Sequence, residues 1–489
     1  MNEEKDEKVV VKLKKEYLSS EREINKYKTL SLILAISLFI SIIVVLFFGF
    51  NLGTKILNDE PVESHDKINE IKNIIKDQWV YGNDYDDLDS ELNNKIYYGL
   101  TTFEEDPYTS YMSIDDMGYF SNSIDKIQLG IGISYYQEYD GYPYVLEVYK
   151  DSGAYNAGMK KGDRVVAIDQ HSTLNCTDEQ IKDYVLGDEG TYVEVAVNRN
   201  GEVITLNCER KIFDSTAHAE LNGDVVILTL SSFGSNTAQT ASNELKEYTD
   251  YHKLIIDLRD NTGGYQDSLL KVAALFLPNN TLVMKEIDKQ GNETKFYADF
   301  SDHYYNFDNI LILTNENTAS AAEVFAICMK EMHSNTTLAG KETYGKGVVQ
   351  TSYQLSDGSF LKVTISYWTS PNGVPLKDSG ILPDIELPLD EVFYTYKYEF
   401  NEGDTFAIDS VSAYTSSMEK ALKYLGYSIN RTDGYFDQSF EDALNLYKKD
   451  HGLEEDGILD KISYEKIYDS IRLSDKDEQL SAALNIING

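Results

Sequence analysis

The 489-residue sequence contains little cysteine, and what it has makes no recognisable framework. Three residues, Cys176, Cys208 and Cys328, are too few for a disulfide-stapled fold. No C-x-x-C pair occurs, which argues against a structural zinc site. Cys176 and Cys208 can pair in an oxidising compartment, or all three can be small buried apolar residues. Cysteine content therefore leaves the redox compartment open.

Basic residues are scarce relative to acidic ones. The sequence has 44 Lys and Arg against 82 Asp and Glu, which gives a formal net charge of −38 at pH 7. A chain of this sign repels a phosphate backbone and releases no counterions on contact with it, so we expect no nucleic-acid partner. Histidine-based signatures are missing too, because neither G-x-S-x-G nor H-E-x-x-H occurs and none of the 7 histidines suggests a triad.

One long apolar segment follows the charged N-terminus. Residues 30–52 read LSLILAISLFISIIVVLFFGFNL and contain no charged side chain, a length that suits one membrane-spanning helix. No A-x-A cleavage pattern follows, so residues 29–52 are predicted to be an uncleaved anchor rather than a signal peptide. Lysine and arginine are concentrated before the span. The positive-inside rule then predicts a cytoplasmic tail at residues 1–28 and places the remainder outside the cytoplasm.

The rest of the chain divides by pattern into four segments. Residues 61–125 show helical spacing of apolar side chains, and residues 127–210 show short alternating strands separated by Gly and Asp turns. Residues 211–395 alternate continuous apolar strands with amphipathic helices, and residues 413–472 contain short helices joined by Asp-Gly turns. The sequence therefore predicts a multidomain α+β protein with a transmembrane helix, a β module, an α/β core and a small helical C-terminal domain.

A serine stands where a predicted buried strand gives way to a helix. In NILILTNENTASAAEVFAICMKEM the strand ends near Thr314 and the helix begins close to Ser320. Unpaired backbone N–H groups and the positive end of the helix dipole meet there. The Ala321 N–H can therefore stabilise an oxyanion formed after attack by Ser320. Taken alone, the segment is better explained by an ordinary serine N-cap.

A downstream lysine is the candidate base for this serine, because a lysine with a lowered pKa can replace histidine. Lys346 lies between two glycines at the start of the strand-like segment KGVVQTSYQ. Alternation along a strand places Gln350 on the same face, where it can orient or hydrogen-bond the amine. Taken alone, Lys346 is more commonly an exposed strand lysine.

A Gly-Gly turn follows another predicted strand. In KLIIDLRDNTGGYQDSLL the pair Gly263-Gly264 precedes a helix and presents backbone N–H groups to an anion or a carbonyl oxygen. Asp257, Arg259 and Asp260 are interpreted as structural side chains that fix the turn. The segment matches neither G-x-x-x-x-G-K nor G-x-G-x-x-G, so it is not predicted to bind phosphate.

Several segments, taken in order, resemble those of the C-terminal processing peptidases, also called tail-specific proteases. They are DPYTSYM (106–112), DLRDNTGG (257–264), TASAAE (318–323), YGKGVVQ (344–350) and the closing stretch SPNGVPLKDSGILPD (370–384). Each segment alone is weakly specific, whereas their order and spacing together are specific. The sequence has Ala322 and Tyr344 where serine and phenylalanine are usual, and both are mild departures.

The resemblance implies catalytic roles residue by residue. Ser320 is implied as the nucleophile, Lys346 as the general base, and Gln350 as the residue that supports the base. The backbone N–H groups of Ala321 and Gly264 are implied as oxyanion donors. The same resemblance implies an α/β (crotonase-like) serine peptidase core that uses no metal and no cofactor.

The β module resembles the PDZ domain that such peptidases carry. The segment GAYNAGMKKGDRVVAID (153–169) matches a PDZ signature, with Gly153 where proline is expected. A peptide bound to a PDZ domain adds as a strand to the sheet edge, and backbone N–H groups receive its terminal carboxylate. The C-terminal tails of extracytoplasmic proteins are therefore the implied partners. The matching carboxylate-binding loop is Gly130, Ile131, Gly132 and Ile133.

Residues 413–472 resemble a peptidoglycan-binding helical repeat. The resemblance is carried by LGY at 425–427, Leu453, and the turns Asp433-Gly434 and Asp456-Gly457. From the residues alone this is a small helical domain whose aromatic side chains can equally form its core. Peptidoglycan is thus an implied partner. The resemblance to the C-terminal processing peptidases also allows assembly into a homo-oligomer.

The expected protein is a serine endopeptidase anchored by one span in a bacterial cell membrane, with its catalytic part outside the cytoplasm. The alternative is a catalytically inactive PDZ adaptor tethered to the wall, which would need none of Ser320, Lys346 and Gln350. A cell-wall hydrolase is suggested by the C-terminal domain alone. It lacks support, because no zinc-ligand cluster or Cys/His pair stands out in the sequence.

Overall fold

The structure, a computed structural model, describes residues 64–489 except positions 140, 300–303, 377–378, 396, 402 and 475. The predicted cytoplasmic tail and membrane anchor lie outside the described residues. Within the described part, no helix combines the length and the apolar character needed to cross a bilayer. Spatial proximity divides the chain into two compact units, one formed by residues 64–100 with 395–464 and the other by residues 101–394 with 465–489.

Helices and strands alternate through most of the described chain. The α-helices are α1 (Ser64–Gln78), α2 (Leu88–Leu100), α3 (Ile114–Asp125), α4 (Gly153–Asn156), α5 (Asp178–Val185), α6 (Thr237–Leu245), α7 (Gln266–Ala273), α8 (Ala321–Met332), α9 (Ala413–Tyr424), α10 (Gln438–Asp450), α11 (Lys461–Arg472) and α12 (Glu478–Asn488). The strands are β1 (Ser110–Met112), β2 (Ile127–Gly130), β3 (Ile133–Gln137), β4 (Pro143–Val148), β5 (Arg164–Ile168), β6 (His171–Ser172), β7 (Tyr192–Arg199), β8 (Glu202–Glu209), β9 (Lys211–Asp214), β10 (Ala217–Asn222), β11 (Val225–Leu230), β12 (Lys253–Asp257), β13 (Leu282–Asp288), β14 (Glu293–Tyr297), β15 (Asn309–Thr314), β16 (Thr336–Gly340), β17 (Val348–Gln354), β18 (Phe360–Thr369) and β19 (Ile385–Glu386).

The unit formed by residues 64–100 and 395–464 is mainly helical. An ion pair joins α1 to α2, in which Lys72 Nζ lies 2.8 Å from an Asp89 carboxylate oxygen. In the C-terminal part α9 and α10 pack together around buried aromatic rings. These rings form the core of the helical domain, so they are not available as platforms for a sugar. The fully buried rings are Phe436, Phe440, Tyr447 and Tyr464.

The β module of the other unit is a sheet in the order β3-β4-β5-β7-β8, with β6 beside β5. The sequence pattern QLGIGISYY reads as one strand, but the structure divides it into β2 and β3 and pairs β2 with β9 instead. Gly132 causes the break, because its φ of 81° is incompatible with a continuing strand. As a result β3 becomes a sheet edge. Cys208 of β8 and Cys176 are free thiols.

The α/β core contains a six-stranded sheet in the order β10-β11-β12-β15-β16-β19. Strands β11, β12, β15, β16 and β19 are parallel, and β10 is antiparallel to β11. Side chains such as Leu228, Ile256 and Ile312 pack on one face in a cluster with α6, α7 and α8. Ile255 and Leu311 pack on the other face with α12. Burial on both faces confirms the α/β core predicted from the continuous apolar runs.

A second sheet completes the core and carries part of the site. Its order is β1-β18-β13-β14, and β17 pairs with the long strand β18. Strand β18 is irregular opposite Val349 and Gln350, where the pairing register shifts by one residue. Strand β1 brings the segment that contains Tyr108 beside β18. Helix α12 was missed in the sequence, where the predicted C-terminal domain ended at residue 472.

Candidate active site

Ser320 occupies an unusual turn between β15 and α8. Strand β15 ends at Thr314 and α8 begins at Ala321, as the sequence predicted. The backbone at Ser320 has φ 57° and ψ −122°, whereas an ordinary N-cap residue is extended. A non-glycine residue held in such a conformation stores about 1–3 kcal/mol of strain. Ser320 is the N-cap residue of α8, and Glu323 accepts from its backbone N–H as in a capping box, but the positive φ is typical of a residue held in place for function.

The Gly-Gly turn lies directly against Ser320. Strands β12 and β15 are parallel neighbours, so the loops at their carboxyl ends meet at the same edge of the sheet. A Cβ added to Gly263 would stand 2.8 Å from the Ser320 Cβ, and one added to Gly264 would stand 2.4 Å from the Phe233 carbonyl oxygen. Both positions have positive φ, at 100° and 150°. Close backbone approach therefore requires glycine at both places.

The two predicted oxyanion donors line one cleft with Ser320. Ala321 is the first residue of α8, where a backbone N–H has no partner within the helix. Among the described residues, neither the Ala321 N–H nor the Gly264 N–H donates a hydrogen bond. Two unpaired N–H groups beside a serine are the arrangement that stabilises a tetrahedral oxyanion.

Lys346 lines the same cleft, two residues before β17 begins. Burial, and to a smaller extent the positive charge of Lys362, lower the pKa of its amine to about 8, although the negative charge of Glu323 acts in the opposite direction. The Nζ lies 4.8 Å from the centre of the Tyr108 ring. The Trp368 Nε1–H donates to the Lys346 carbonyl oxygen at 2.9 Å and fixes the backbone there. A neutral amine is thus accessible near physiological pH.

Glu323 connects the turn that contains Ser320 to the loop that contains Lys346. Its carboxylate is fully buried and accepts four hydrogen bonds of 2.5–2.9 Å. One oxygen, Oε2, accepts from the backbone N–H groups of both Ser320 and Lys346. The other, Oε1, accepts from the Thr343 hydroxyl and the Gly345 N–H. A single buried anion therefore sets the spacing between the serine turn and the lysine loop.

The segment DPYTSYM supplies the third wall of the site. The Asp106 carboxylate accepts hydrogen bonds from the Tyr108 N–H, the Thr109 N–H and hydroxyl, and the Thr364 hydroxyl on β18. These bonds hold Tyr108 with its ring against the Lys346 amine. Burial, followed by a hydrogen bond with Tyr344, raises the pKa of Tyr108 to about 12. Tyr108 therefore stays neutral and serves as an apolar and aromatic neighbour of the lysine.

Gln350 lies in β17 and also lines the cleft. The predicted alternation began at Lys346, but the strand itself starts at Val348. Within the described part of the chain, the buried Gln350 side-chain nitrogen has no hydrogen-bond partner. A buried amide donor is rarely left unpaired, so a ligand or substrate group is its natural partner. The cleft, of about 800 Å³, contains every predicted catalytic and oxyanion residue.

The PDZ-like loop lines a separate apolar groove of about 130 Å³. The groove lies beside the edge strand β3, and Ile181 and Leu186 form part of its wall. Neither the Ile131 N–H nor the Gly132 N–H donates to another described residue. Unpaired N–H groups above an apolar pocket suit an aliphatic C-terminal residue with a free carboxylate. All four predicted loop residues line this groove: Gly130, Ile131, Gly132 and Ile133.

Three residues of the site received no role from the sequence. Glu323 and Tyr108 lie within recognised segments, but their partners are distant in sequence and only the fold brings them together. Lys362 lies in β18 and lines the cleft, with its Nζ 4.7 Å from the Phe120 ring centre. No motif includes Lys362, so only a search for charges near Lys346 could have found it.

Comparison with known protein families matches three parts of the chain. Residues 224–387 match the model of peptidase family S41, residues 129–209 match a PDZ domain, and residues 414–467 match a putative peptidoglycan binding domain. A probable CtpA-like serine protease from Staphylococcus epidermidis is 31% identical over 432 residues, which cover 84% of this chain and 85% of that protein. The chain belongs to peptidase family S41. It is a serine peptidase of the C-terminal processing type, as the sequence segments implied.

Other relatives extend the match along nearly the whole chain. A probable CtpA-like serine protease from Staphylococcus saprophyticus is 28% identical over 480 residues, covering 96% of both chains. The solved structure of a photosystem II D1 C-terminal processing protease aligns with 65% of this chain and 92% of that chain, at 22% identity and a TM-score of 0.37. That score is too low for the two geometries to be compared residue by residue. The PDZ domain, the family S41 core and the C-terminal helical domain are therefore assigned, whereas the roles of single residues rest on the geometry described above.

Proposed function

We propose that this family S41 member is a membrane-anchored, extracytoplasmic endopeptidase that cleaves proteins with a Ser320/Lys346 dyad. The observation that carries the proposal is the Glu323 carboxylate, which binds the backbone of both residues beside a half-buried amine. A neutral Lys346 accepts the Ser320 Oγ proton as Oγ bonds to the scissile carbonyl carbon. The protonated amine then donates to the leaving amine, and water hydrolyses the acyl-enzyme by the reverse transfers.

The remaining groups of the cleft have supporting roles in this mechanism. The N–H groups of Ala321 and Gly264 stabilise the negative oxygen of the tetrahedral intermediate. Gln350 lines the cleft with Lys346, and its unpaired side-chain N–H can donate to the neutral amine or to a substrate group. The strained backbone of Ser320 is fixed by its N–H bond to the Glu323 carboxylate. None of these steps needs a metal or a cofactor.

The PDZ groove selects the substrate in the proposal. A substrate's apolar C-terminal residue enters the groove beside β3 while its carboxylate meets the Ile131 and Gly132 N–H groups. The N-terminal segment 29–52 anchors the enzyme in a bacterial membrane, and the C-terminal helical domain associates with peptidoglycan. These assignments rest on the apolar segment of the sequence and on the two domain matches.

The test is cleavage of an unstructured protein that ends in apolar residues, by the purified full-length chain. We expect a Leu186→Glu variant to raise KM about tenfold and leave kcat unchanged, since the new negative charge repels the terminal carboxylate. Val203→Glu is the matched control, because Val203 is equally exposed in the PDZ domain but does not line the groove. We expect parental kinetics from it and weak cleavage of a C-terminally amidated substrate. Equal KM values for both variants would contradict the assigned groove, and a parent chain that never cleaves would favour the adaptor.

The pH dependence tests the lysine directly. Because Lys346 acts as a neutral amine with a pKa of about 8, kcat/KM should rise with pH to a plateau and be half-maximal near that pKa. A Lys362→Met variant removes a neighbouring positive charge, which raises the pKa of Lys346 and moves the midpoint to higher pH. Lys362→Arg keeps the charge and should leave the midpoint in place. A midpoint below pH 6, or one that Lys362→Met does not move, would contradict this base.

A further inference from the structure

The last part of the chain returns to the catalytic core after the helical C-terminal domain. We define the C-terminal strap as residues 465–474 and 476–489. Within it α12 covers the face of the sheet that α6, α7 and α8 leave open, with Ala483 fully buried. The Gln479 side chain, also buried, donates to the Leu387 carbonyl oxygen at 2.7 Å. The strap is therefore an integral layer of the core rather than a loose tail.

The strap contacts the Gly-Gly loop at Arg259, through an ion pair with Asp477 and a longer hydrogen bond of 3.4 Å to the Gln479 side-chain oxygen. Asp477 binds the Arg259 guanidinium with both carboxylate oxygens, at 2.9 Å to Nη1 and 2.6 Å to Nη2. Asp257, at the end of β12, binds the same guanidinium from its other side. Although burial acts in the opposite direction, hydrogen bonds to the two carboxylates raise the pKa of Arg259. Bidentate pairs of this kind fix direction as well as distance.

Arg259 opens the loop that carries the oxyanion donor Gly264. Further along, the Asn261 side chain donates to the Leu230 carbonyl oxygen and accepts from the Gly263 N–H. The Asn261 carbonyl oxygen accepts from the Ala319 N–H, one residue before Ser320. The orientation of the loop at Arg259 therefore affects the positions of both the Gly-Gly turn and the serine turn, because the Asn261 hydrogen bonds connect them.

The other end of the strap is attached to the PDZ domain. Asp469 accepts hydrogen bonds from the Tyr136 hydroxyl at 2.9 Å and from the Tyr139 N–H at 2.7 Å. Tyr136 belongs to β3, the edge strand beside the peptide groove. A short covalent segment thus runs from the substrate-selecting domain to the catalytic loop, with one carboxylate contact at each end.

We propose that Asp477 is a positioning residue for the peptidase reaction. Through Arg259 it fixes the position of the Gly264 turn relative to the Ser320 turn. The inference rests on the proposed roles of Ser320 and Gly264, and it adds a requirement that the recognised segments do not contain. We call the Arg259–Asp477 ion pair the clamp. Without the clamp the loop keeps its fold, but the backbone of residues 258–264 is no longer held in one orientation. A displacement of the donor by a fraction of an ångström weakens the transition state more than it weakens substrate binding.

Two substitutions separate the clamp from the second role of Asp477, which is to cap α12 by accepting from the Leu480 N–H. Asp477→Asn keeps a good N-cap but loses the charged pair, whereas Asp477→Glu keeps the charge and weakens the cap. We expect Asp477→Asn to lower kcat about tenfold with KM changed less than about twofold. Asp477→Glu should retain most of the parental kcat despite a lower Tm. Asp224→Asn, which removes the surface ion pair with Lys253, is the control and should be parental.

The assay uses the full-length chain at a temperature where every variant is folded by near-ultraviolet circular dichroism. Parental kcat in Asp477→Asn, or equal losses in the Asn and Glu variants, would overturn the proposal. Hydrogen exchange of residues 258–264 is measured in parallel in a Ser320→Ala background, where no cleavage occurs. Faster exchange with Asp477→Asn supports the clamp and unchanged exchange contradicts it. This second readout decides the question even if the parent shows no peptidase activity and the proposed function itself fails.

Discussion

A Lys346→Met variant is expected to lose kcat by about 10³-fold or more while remaining folded. Methionine fills nearly the same volume but has no basic nitrogen, so Ser320 would have to attack as an unactivated hydroxyl. The site disfavours a buried positive charge, since burial lowers the pKa of the amine. The substitution should therefore not reduce the free energy of unfolding. The measurement is kcat on an unstructured substrate together with Tm.

The matched control is Lys330→Met on α8. Lys330 forms an ion pair with Asp384 outside the cleft, so removing it eliminates one lysine charge without touching the site. We expect parental kcat from this variant and a loss from Ser320→Ala as deep as that from Lys346→Met, because the two residues act as a unit. If Lys346→Met keeps more than about a tenth of the parental kcat, another group is the base.

A Glu323→Gln variant is expected to lose both stability and activity. Each carboxylate oxygen of Glu323 accepts two hydrogen bonds, and a glutamine NH₂ placed there would face two donors instead. We expect the free energy of unfolding to fall by about 3 kcal/mol, because buried donors are left unpaired. We expect kcat to fall about 10²-fold, since the serine and lysine backbones no longer share an anchor. Denaturant unfolding and steady-state kinetics measure the two effects.

The pH profile distinguishes this loss from simple destabilisation. The negative charge of Glu323 raises the pKa of Lys346, so removing that charge should move the midpoint of the residual activity to lower pH. This shift is opposite in sign to the one expected for Lys362→Met. Glu331→Gln is the control, because Glu331 lies on the same helix and accepts hydrogen bonds away from the cleft. A Glu323→Gln profile with an unmoved midpoint would contradict the electrostatic role.

The sequence predicted the core strands and helices well, because buried parallel strands leave continuous apolar runs that need no tertiary information. It could not show that Ser320 and Lys346 belong together. Taken alone, each residue fitted an ordinary cap or surface position, and only the ordered segments of a known family connected them. The Glu323 carboxylate explains the connection, but its partners at residues 343–346 are reached through the fold of β16 and the loop after it.

The structural features that the sequence did not predict have particular physical causes. Gly132 divided a strand that looked continuous, because a positive φ at a glycine leaves no signal in an apolar alternation. Helix α12 is short, and its apolar side chains face strands that are distant in sequence, such as β12 (Lys253–Asp257) and β15 (Asn309–Thr314). The positive charge of Lys362 lowers the pKa of Lys346 without a direct bond, and no local sequence pattern indicates such an effect. Such features depend on contacts between segments far apart in the chain, so they emerge only from the assembled structure.

The contact between Arg259 and Asp477 has a consequence for the synthesis of the enzyme on the ribosome, since the two residues are 218 positions apart. Ribosomes add roughly 5–20 residues per second, so about 10–40 s separate the appearance of the two residues. During that interval the nascent chain already contains Ser320 and then Lys346, yet its catalytic loop still lacks the clamp. On this proposal, the nascent chain reaches full activity only when its synthesis is nearly complete. If Asp477 positions the loop as proposed, a chain truncated before Asp477 would leave the ribosome with about a tenth or less of the full kcat.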